Sequence, residues 1–221
     1  MNASSELAPA AEIRAYLVDE MNLALRRPGM YGGEIALRLL LRHLLFVERD
    51  QDDWTERQPA WEKRGIWTST GATGAFWWLL PKPHEHDMAS VYAEYARARG
   101  WLKPDRVLAR AEYVTLRAAA RPWAGRDRVW TDVTAEFGPP SVQLGGGNRR
   151  YGKVLGYLTE DPDDPIVWFH LWNGPEPGAE VTWPPEQEEA VLLAVRFGDG
   201  PFGETFTFTP EGRRRKPRGR T

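Results

Sequence analysis

Two histidines lie close together in the sequence and are the best candidates for metal chemistry. The stretch "HEHD", residues 84–87, places His84 and His86 two residues apart, each next to a carboxylate. Histidines at that spacing share one face of a strand and could chelate a divalent ion. The sequence nominates no further ligand, and Asp87 is a good N-cap for the helix that follows. A polar loop is the preferred interpretation, a metal site at His84 and His86 is the alternative, and no cofactor is expected.

His170 is the best single candidate for acid–base catalysis. It lies in "VWFHLWN", where a strand would hold the imidazole between large aromatic side chains, and histidine is the side chain most often used for proton transfer. A Ser-His-Asp triad or a pair of carboxylates cannot be assembled around it from the sequence. An enzyme with His170 in a tryptophan-lined pocket is kept as an alternative to a binding protein.

A glycine-rich stretch, "LGGGNRRYGKVL" at residues 144–155, is similar to the phosphate-binding pattern G-x-x-x-x-G-K-[ST]. In that loop, backbone N–H groups and a helix N-terminus hold phosphates, and the final hydroxyl holds magnesium. Val154 stands where the hydroxyl should be, and the segment after it is too short for the required helix. We therefore expect a turn between two strands.

The segment "RRPGMYGG", residues 26–33, ends the first predicted helix. The "RPGMY" within it, followed by glycine, resembles the R-P-G-M-Y-x-G element in the ATPase subunit of DNA gyrase and its relatives. The resemblance implies a nucleotide site, but that site needs an asparagine on the next helix, and "RLLLRHLLFVERD" has none. The segment is interpreted instead as a turn in which Met30 and Tyr31 pack against the next helix.

Residues 160–189 combine nine carboxylates with several tryptophans and contain no lysine or arginine. Exposed aromatic side chains anchor protein interfaces, and surrounding carboxylates speed the encounter with a basic partner. The sequence thus predicts a non-enzymatic binding or inhibitor protein, most concretely a bacterial immunity protein that neutralises a basic toxin. The alternative is that the carboxylates occupy solvated loops while the tryptophans fill the core. The predicted binding residues are Asp161, Asp163, Asp164, Trp168, Trp172, Glu176, Glu180, Trp183, Glu186 and Glu188.

The C-terminal stretch "RRRKPRGRT" has six cations and no carboxylate, so the chain's formal net charge of −2 leaves −8 on residues 1–212. Clustered cations attract phosphates, a membrane surface or the protein's own acidic region. A nucleic-acid-associated accessory protein is the third hypothesis, although no nucleic-acid-binding motif accompanies the tail. Its contacts would be Arg213, Arg214, Arg215, Lys216, Arg218 and Arg220.

Composition excludes several classes of protein. Cysteine is absent, which excludes disulfides, thiol nucleophiles and zinc–cysteine sites. No stretch reaches the roughly 18 uninterrupted apolar residues of a membrane helix, and no secretory signal is recognisable. Arginine outnumbers lysine 24 to 5, as in proteins from GC-rich bacterial genomes. We therefore expect a bacterial cytoplasmic protein without a membrane partner.

The elements that would position these residues begin with helices. Apolar spacing predicts helices over residues 9–26, 34–48, 88–99 and 105–120, with a possible short hairpin near 65–80. The second of these helices is apolar over most of its circumference, which is typical of a central core element.

From residue 128 onwards the pattern favours strands. The predicted strands are "VWTDVTAEF", "SVQL", "KVLGYLT", "PIVWFHLW", "AVLLAVRF" and "ETFTFT". No helix-length segment separates them, so they should be antiparallel. The prediction is an α+β fold in which N-terminal helices over 1–125 share one core with a C-terminal antiparallel sheet of about five or six strands over 126–210. A disordered basic tail is expected over 211–221.

Overall fold

A computed structural model describes residues 9–176, 179–180, 182–185 and 187–217 of the chain. The fold is α+β, as predicted, and most of the helices precede an antiparallel sheet. The helices are α1 Ala10–Arg26, α2 Pro28–Tyr31, α3 Gly33–Glu48, α4 Asp52–Arg64, α5 Thr73–Phe76, α6 Glu85–Ala98, α7 Arg110–Trp123, α8 Trp130–Phe137 and α9 Pro210–Arg215. The strands are β1 Val142–Leu144, β2 Lys153–Tyr157, β3 Val167–Trp172, β4 Val191–Arg196 and β5 Phe206–Phe208.

The five strands pair in sequence order, and each is antiparallel to its neighbours. In the register of β2 and β3, Val154 lies opposite His170, and Leu155 lies opposite Phe169. The last five predicted strand segments all contain one of these strands. Short connections join consecutive neighbours, as antiparallel pairing allows.

Helices cover both faces of the sheet. On one face, Val154 and Trp168 belong to an apolar core shared with α1, α3 and α6. On the other face, Leu155 and Phe169 belong to a second core shared with α7 and α8. Successive residues of a strand point to opposite faces, so β2 and β3 are buried along their whole length. The helical and strand-rich halves of the chain therefore share their cores.

The segment "VWTDVTAEF" is a helix, α8, and its prediction as a strand is wrong. Val133 and Phe137, four residues apart, are buried in the second core. The Asp132 carboxylate accepts a hydrogen bond from the Val129 N–H at 2.9 Å, an interaction that stabilises a helix start. Burial at a spacing of four residues outweighs the strand preference of the β-branched side chains.

The possible hairpin near residues 65–80 is reduced to a single antiparallel bridge between Thr68 and Gly71, and helix α5 follows it. The Glu34 carboxylate of α3 binds the start of α5. Its two oxygens accept hydrogen bonds from the N–H groups of Ala72 and Thr73 at 2.7 and 3.0 Å. A carboxylate distant in sequence thus satisfies a helix start that has no local cap.

Helix α7 begins at Arg110 and not at residue 105. The Asp105 N–H donates to the Ser141 carbonyl at 2.7 Å, and the Leu108 N–H donates to the Leu158 carbonyl at 2.9 Å. These tertiary hydrogen bonds hold the segment before α7 along the end of the sheet.

The basic tail, expected to be disordered over residues 211–221, is helical at its start, in α9. Thr209 Oγ1 accepts a hydrogen bond from the Gly212 N–H at 3.0 Å, as an N-cap does. Arg215 is buried, and its guanidinium lies 4.5 Å from the centre of the Trp172 ring. This part of the tail therefore packs on the fold, while the last four residues lie outside the described part of the chain.

Helix α3 is not a central core element, contrary to the prediction. Leu37 and Leu41 are buried, whereas Ile35 and Leu39 are exposed. Met30 and Tyr31 of the short helix α2, which were expected to pack against α3, are 76% and 38% exposed. Within the described residues, no helix is long and apolar enough to cross a membrane.

Candidate functional site

The glycine-rich stretch forms the hairpin loop between β1 and β2. Lys153 begins β2, and its Nζ donates to the Asn148 carbonyl at 2.6 Å. Gly145 has a φ of +102°, and a Cβ atom there would lie 3.1 Å from Lys153 Cβ, so the tight turn requires glycine. Because strand β2 follows the loop where a nucleotide-binding loop would need a helix, the predicted strand-to-strand turn is confirmed.

His170 lies within β3 and is only 1% exposed. Its ring packs against Phe76 and Phe206, whose ring centres are 5.8 and 5.5 Å away. Nδ1 lies 2.8 Å from Asp87 Oδ1, whereas Nε2 has no hydrogen-bond partner among the described residues. Burial lowers the pKa of His170, so the ring is neutral and Nδ1–H donates to the carboxylate. A substrate cannot reach this ring unless the core opens, and we therefore interpret His170 as structural.

Asp87 connects the start of α6 to the sheet. Its Oδ2 accepts a hydrogen bond from the His84 N–H at 2.9 Å, while Oδ1 accepts from His170. Burial opposes ionisation of Asp87, but the hydrogen bond from His170 holds the pKa of Asp87 below its usual value. The prediction of Asp87 as the N-cap is wrong, because α6 begins at Glu85 and His84 is its N-cap residue. The stretch "HEHD" is therefore the start of a helix and not the expected polar loop, and Asp87 contributes to that start from the first turn.

The rings of His84 and His86 stack, with their centres 4.9 Å apart. Burial lowers the pKa of His86 to about 3, so this ring is neutral near pH 7. Neither Nε2 atom has a hydrogen-bond partner in the described part of the chain. No group of three or more metal-ligating side chains occurs among the described residues. The described part of the chain therefore brings no third ligand to the two histidines.

An open cavity of about 330 Å³ lies beside the histidine pair. Aromatic side chains line it from three segments, with Tyr151 in the hairpin loop, Trp172 at the end of β3, and Trp183 in the connection from β3 to β4. Trp183 is 79% exposed and stacks on Tyr151, with ring centres 5.1 Å apart. We call this site the aromatic cavity, formed by His84, His86, Tyr151, Trp172 and Trp183.

The aromatic cavity joins residues that the sequence nominated separately. The sequence suggests metal binding at His84 and His86, and it suggests a protein interface at Trp172 and Trp183. Tyr151 was missed. The sequence signal for Tyr151 is that it is the aromatic residue of the glycine-rich loop. A large aromatic ring in a polar turn usually packs against another side chain.

The predicted acidic residues fall at the two ends of β3 and do not form one face. Asp161, Asp163 and Asp164 precede β3, and Glu176, Glu180 and Glu188 follow it. Asp164 is buried, and its Oδ2 accepts a hydrogen bond from Thr159 at 2.8 Å and contacts Arg110. Burial opposes ionisation of Asp164, but these two donors hold the pKa of its carboxyl below the usual value. Asp161 and Asp163 are exposed.

Glu176, after β3, is already paired within the protein. Arg214 and Arg215 of α9 lie 2.7 and 2.6 Å from its carboxylate oxygens. The hydrogen bond from Arg214 holds the pKa of Glu176 below its usual value. Glu180 and Glu188 are exposed, and Glu186 lies outside the described residues.

Two of the three predicted tryptophan anchors are buried. Trp168 is fully buried, and its Nε1–H donates to Glu94 at 2.7 Å. Trp172 is buried beneath the guanidinium of Arg215 and shows only part of its ring to the aromatic cavity. Trp183 alone of the three is exposed at the surface.

The basic tail binds the protein's own acidic region, one of the outcomes expected for its cations. Arg214 and Arg215 pair with Glu176, and Lys216 Nζ lies 4.8 Å from the centre of the Phe208 ring. Arg213 and Lys216 are exposed, Arg215 is buried, and Arg218 and Arg220 lie outside the described residues.

No protein-family model matches the chain, and no curated protein or solved structure matches it either.

Proposed function

We propose that this chain is a non-enzymatic protein that binds a basic protein partner through the rim of the aromatic cavity, as a bacterial immunity protein binds a toxin. Trp183 is the anchor, and Glu180 and Glu188 provide the attraction for a cationic surface. The partner is bound in the bacterial cytoplasm. This surface is smaller than the sequence suggested, because Trp168, Asp164 and the other predicted binding residues that are buried or already paired within the protein do not contribute to it.

The observation that carries the proposal is the position of Trp183. Its ring is 79% exposed, yet stacking on Tyr151 holds it in one orientation at the mouth of the cavity. A held aromatic ring offers a large contact area with little further loss of conformational freedom, which is why tryptophan is enriched among the residues that dominate interface energies. The cavity beneath it can accept a side chain of the partner.

Charge supports a basic partner. Glu180 and Glu188 flank Trp183 in the sequence, and neither has an ion-pair partner within the described residues. Exposed carboxylates of this kind increase the rate of encounter with a cationic surface and make that rate depend on ionic strength. The enclosure of His170 between aromatic rings favours a binding role over catalysis.

The test is binding of the full chain to the toxin that we expect the adjacent gene to encode. Trp183→Ala should weaken the Kd by at least about 30-fold, the loss typical of an interface hot spot. Trp78→Ala is the matched control, because Trp78 is 58% exposed and does not line the aromatic cavity. Equal affinities of the two variants contradict the proposed anchor.

The electrostatic part is tested by association kinetics. Glu180→Gln combined with Glu188→Gln should lower the association rate constant and reduce its salt dependence, while the dissociation rate constant changes little. Asp52→Asn combined with Glu56→Gln removes two exposed charges from α4 and should leave the association rate unchanged. No binding by the wild-type chain, or identical kinetics of the two double variants, contradicts the proposal.

A further inference from the structure

Helices α1 and α3 form an antiparallel hairpin whose outer side is apolar and uncovered. Arg14, near the start of α1, lies 2.8 Å from Glu48, the last residue of α3. The buried residues of both helices face the core, and large apolar side chains point to the opposite side with exposures between 41% and 79%. This outer face consists of Ile13, Tyr16, Leu23, Ile35, Leu39 and Phe46. Large contiguous apolar patches on a protein surface mark interaction sites.

Each helix contributes one pair of outer-face residues at a spacing of seven. On α1, Tyr16 and Leu23 are seven residues apart, and on α3 the same spacing separates Leu39 from Phe46. A seven-residue apolar repeat is the pattern of helices that pack against other helices. The fold uses the opposite side of each helix for its own core, so this second stripe is available to a helical partner.

Two opposite charges lie near the middle of the outer face, the half-buried Glu20 on α1 and the exposed Arg42 on α3. Because the hairpin is antiparallel and Arg14 is level with Glu48, Glu20 is about level with Arg42. By the same relation, Tyr16 is level with Phe46, and Leu23 with Leu39. Glu20 and Arg42 have no ion-pair partner among the described residues. The face therefore has an apolar level on each side of the carboxylate and the guanidinium, and Ile13 and Ile35 lie at its two ends.

We infer that the outer face of the α1–α3 hairpin binds a second copy of this chain in a two-fold dimer. In the arrangement that places α1 of one copy over α3 of the other, Glu20 meets Arg42 of the second copy twice, and the apolar levels coincide. The other two-fold arrangement places α1 over α1 and brings Glu20 against its own copy, which like-charge repulsion disfavours. The charges thus select one arrangement of a four-helix interface.

The size of the face agrees with a self-associating surface. Helix α1 has 17 residues and α3 has 16, so each is about 25 Å long at a rise of 1.5 Å per residue. Burying six large apolar side chains in each copy supplies the apolar centre that dimer interfaces have. Glu20 and the mixed charges around the face suit another protein surface better than an anionic lipid surface. The outer face shares no residue with the aromatic cavity, so the inference does not depend on the proposed function.

Sedimentation velocity of the full chain over a concentration series tests this inference. The wild-type chain should sediment at twice the monomer mass at micromolar concentrations. Glu20→Arg and Arg42→Glu should each weaken the dimer Kd by roughly tenfold or more, and the double exchange should restore it. Leu39→Glu should give a monomer, whereas Val114→Glu on the exposed side of α7 should leave the dimer intact.

Circular dichroism and thermal unfolding of each variant separate loss of the dimer from loss of the fold. A wild-type chain that stays monomeric throughout the series overturns the inference, and so does one that is recovered on phosphatidylglycerol vesicles as a monomer. A dimer that survives Leu39→Glu, or single charge exchanges whose combination restores nothing, overturns the proposed arrangement.

Discussion

The Asp87 carboxylate and the His170 imidazole connect helix α6 to strand β3 through one buried hydrogen bond of 2.8 Å. Each partner makes the other acceptable in the core, because a buried carboxylate needs donors and a buried imidazole N–H needs an acceptor. The same carboxylate accepts a hydrogen bond from the N–H of His84, the N-cap residue of α6, so one side chain fixes both the start of a helix and its position on the sheet.

Replacing Asp87 should destabilise the protein strongly. Asp87→Ala removes the interaction at the start of α6 and leaves the His170 Nδ1–H buried without an acceptor, and we expect a loss of about 2–4 kcal/mol in the free energy of unfolding. Urea denaturation followed by circular dichroism measures this loss. Asp52→Ala, at the exposed start of α4, is the control and should change stability by less than about 1 kcal/mol. Equal effects of the two substitutions contradict the role of the buried pair.

The protein should lose stability as the pH falls below 6.5. Burial lowers the pKa of His86 to about 3 and also lowers the pKa of His170, whereas the pKa of an unperturbed histidine is 6.5. Between pH 6.5 and the lowered values, the unfolded chain binds more protons than the folded chain. Stability is therefore complete above pH 6.5 and decreases towards acid pH, by up to about 1.4 kcal/mol per pH unit for each such histidine.

Urea denaturation at several pH values checks this dependence, and substitutions show which histidine causes it. His86→Gln should make the decrease less steep because one of the two histidines no longer titrates. His43→Gln is the control, since His43 is exposed on α3. A stability that does not change between pH 7 and about pH 5 contradicts the neutral buried state of these rings.

The contact between α9 and the sheet should be sensitive to a single methyl group. A Cβ atom at Gly212 would lie 1.9 Å from the Leu193 carbonyl oxygen, so Gly212→Ala forces α9 away from β4. We expect a loss of about 2 kcal/mol or more in the free energy of unfolding, as for other overpacked positions. Gly147→Ala is the control, because a Cβ atom at Gly147 meets nothing within 4 Å. Thermal unfolding of the two variants compares them directly, and indistinguishable midpoints mean that α9 does not pack as described.

The strands after residue 140 could be predicted because turns separate them and because they are rich in β-branched and aromatic residues. The same local argument failed for α8, whose Val133 and Phe137 are buried at helical spacing. It also failed at α5, where Glu34 of a different helix binds the first N–H groups. Elements that depend on a distant partner carry no local signal of that partner.

The candidate site could be predicted only in part for a similar reason. The sequence indicated that residues 160–189 are acidic, but not that Glu176 would meet Arg214 nearly forty residues later. The sequence does not distinguish Trp168 from Trp183. In the fold, Trp168 donates a hydrogen bond inside the core, whereas Trp183 is exposed to solvent. Charge and residue type describe what a side chain can do, and only the fold determines which neighbours it meets.

The two outermost strands, β1 and β5, are only three residues long. An edge strand can pair with a strand of another chain and can nucleate fibrous aggregates. A short edge strand makes both less favourable. An edge strand of three residues offers another chain few backbone hydrogen bonds. Contacts with other molecules are accordingly left to side chains on helices and connections, where recognition depends on shape and charge.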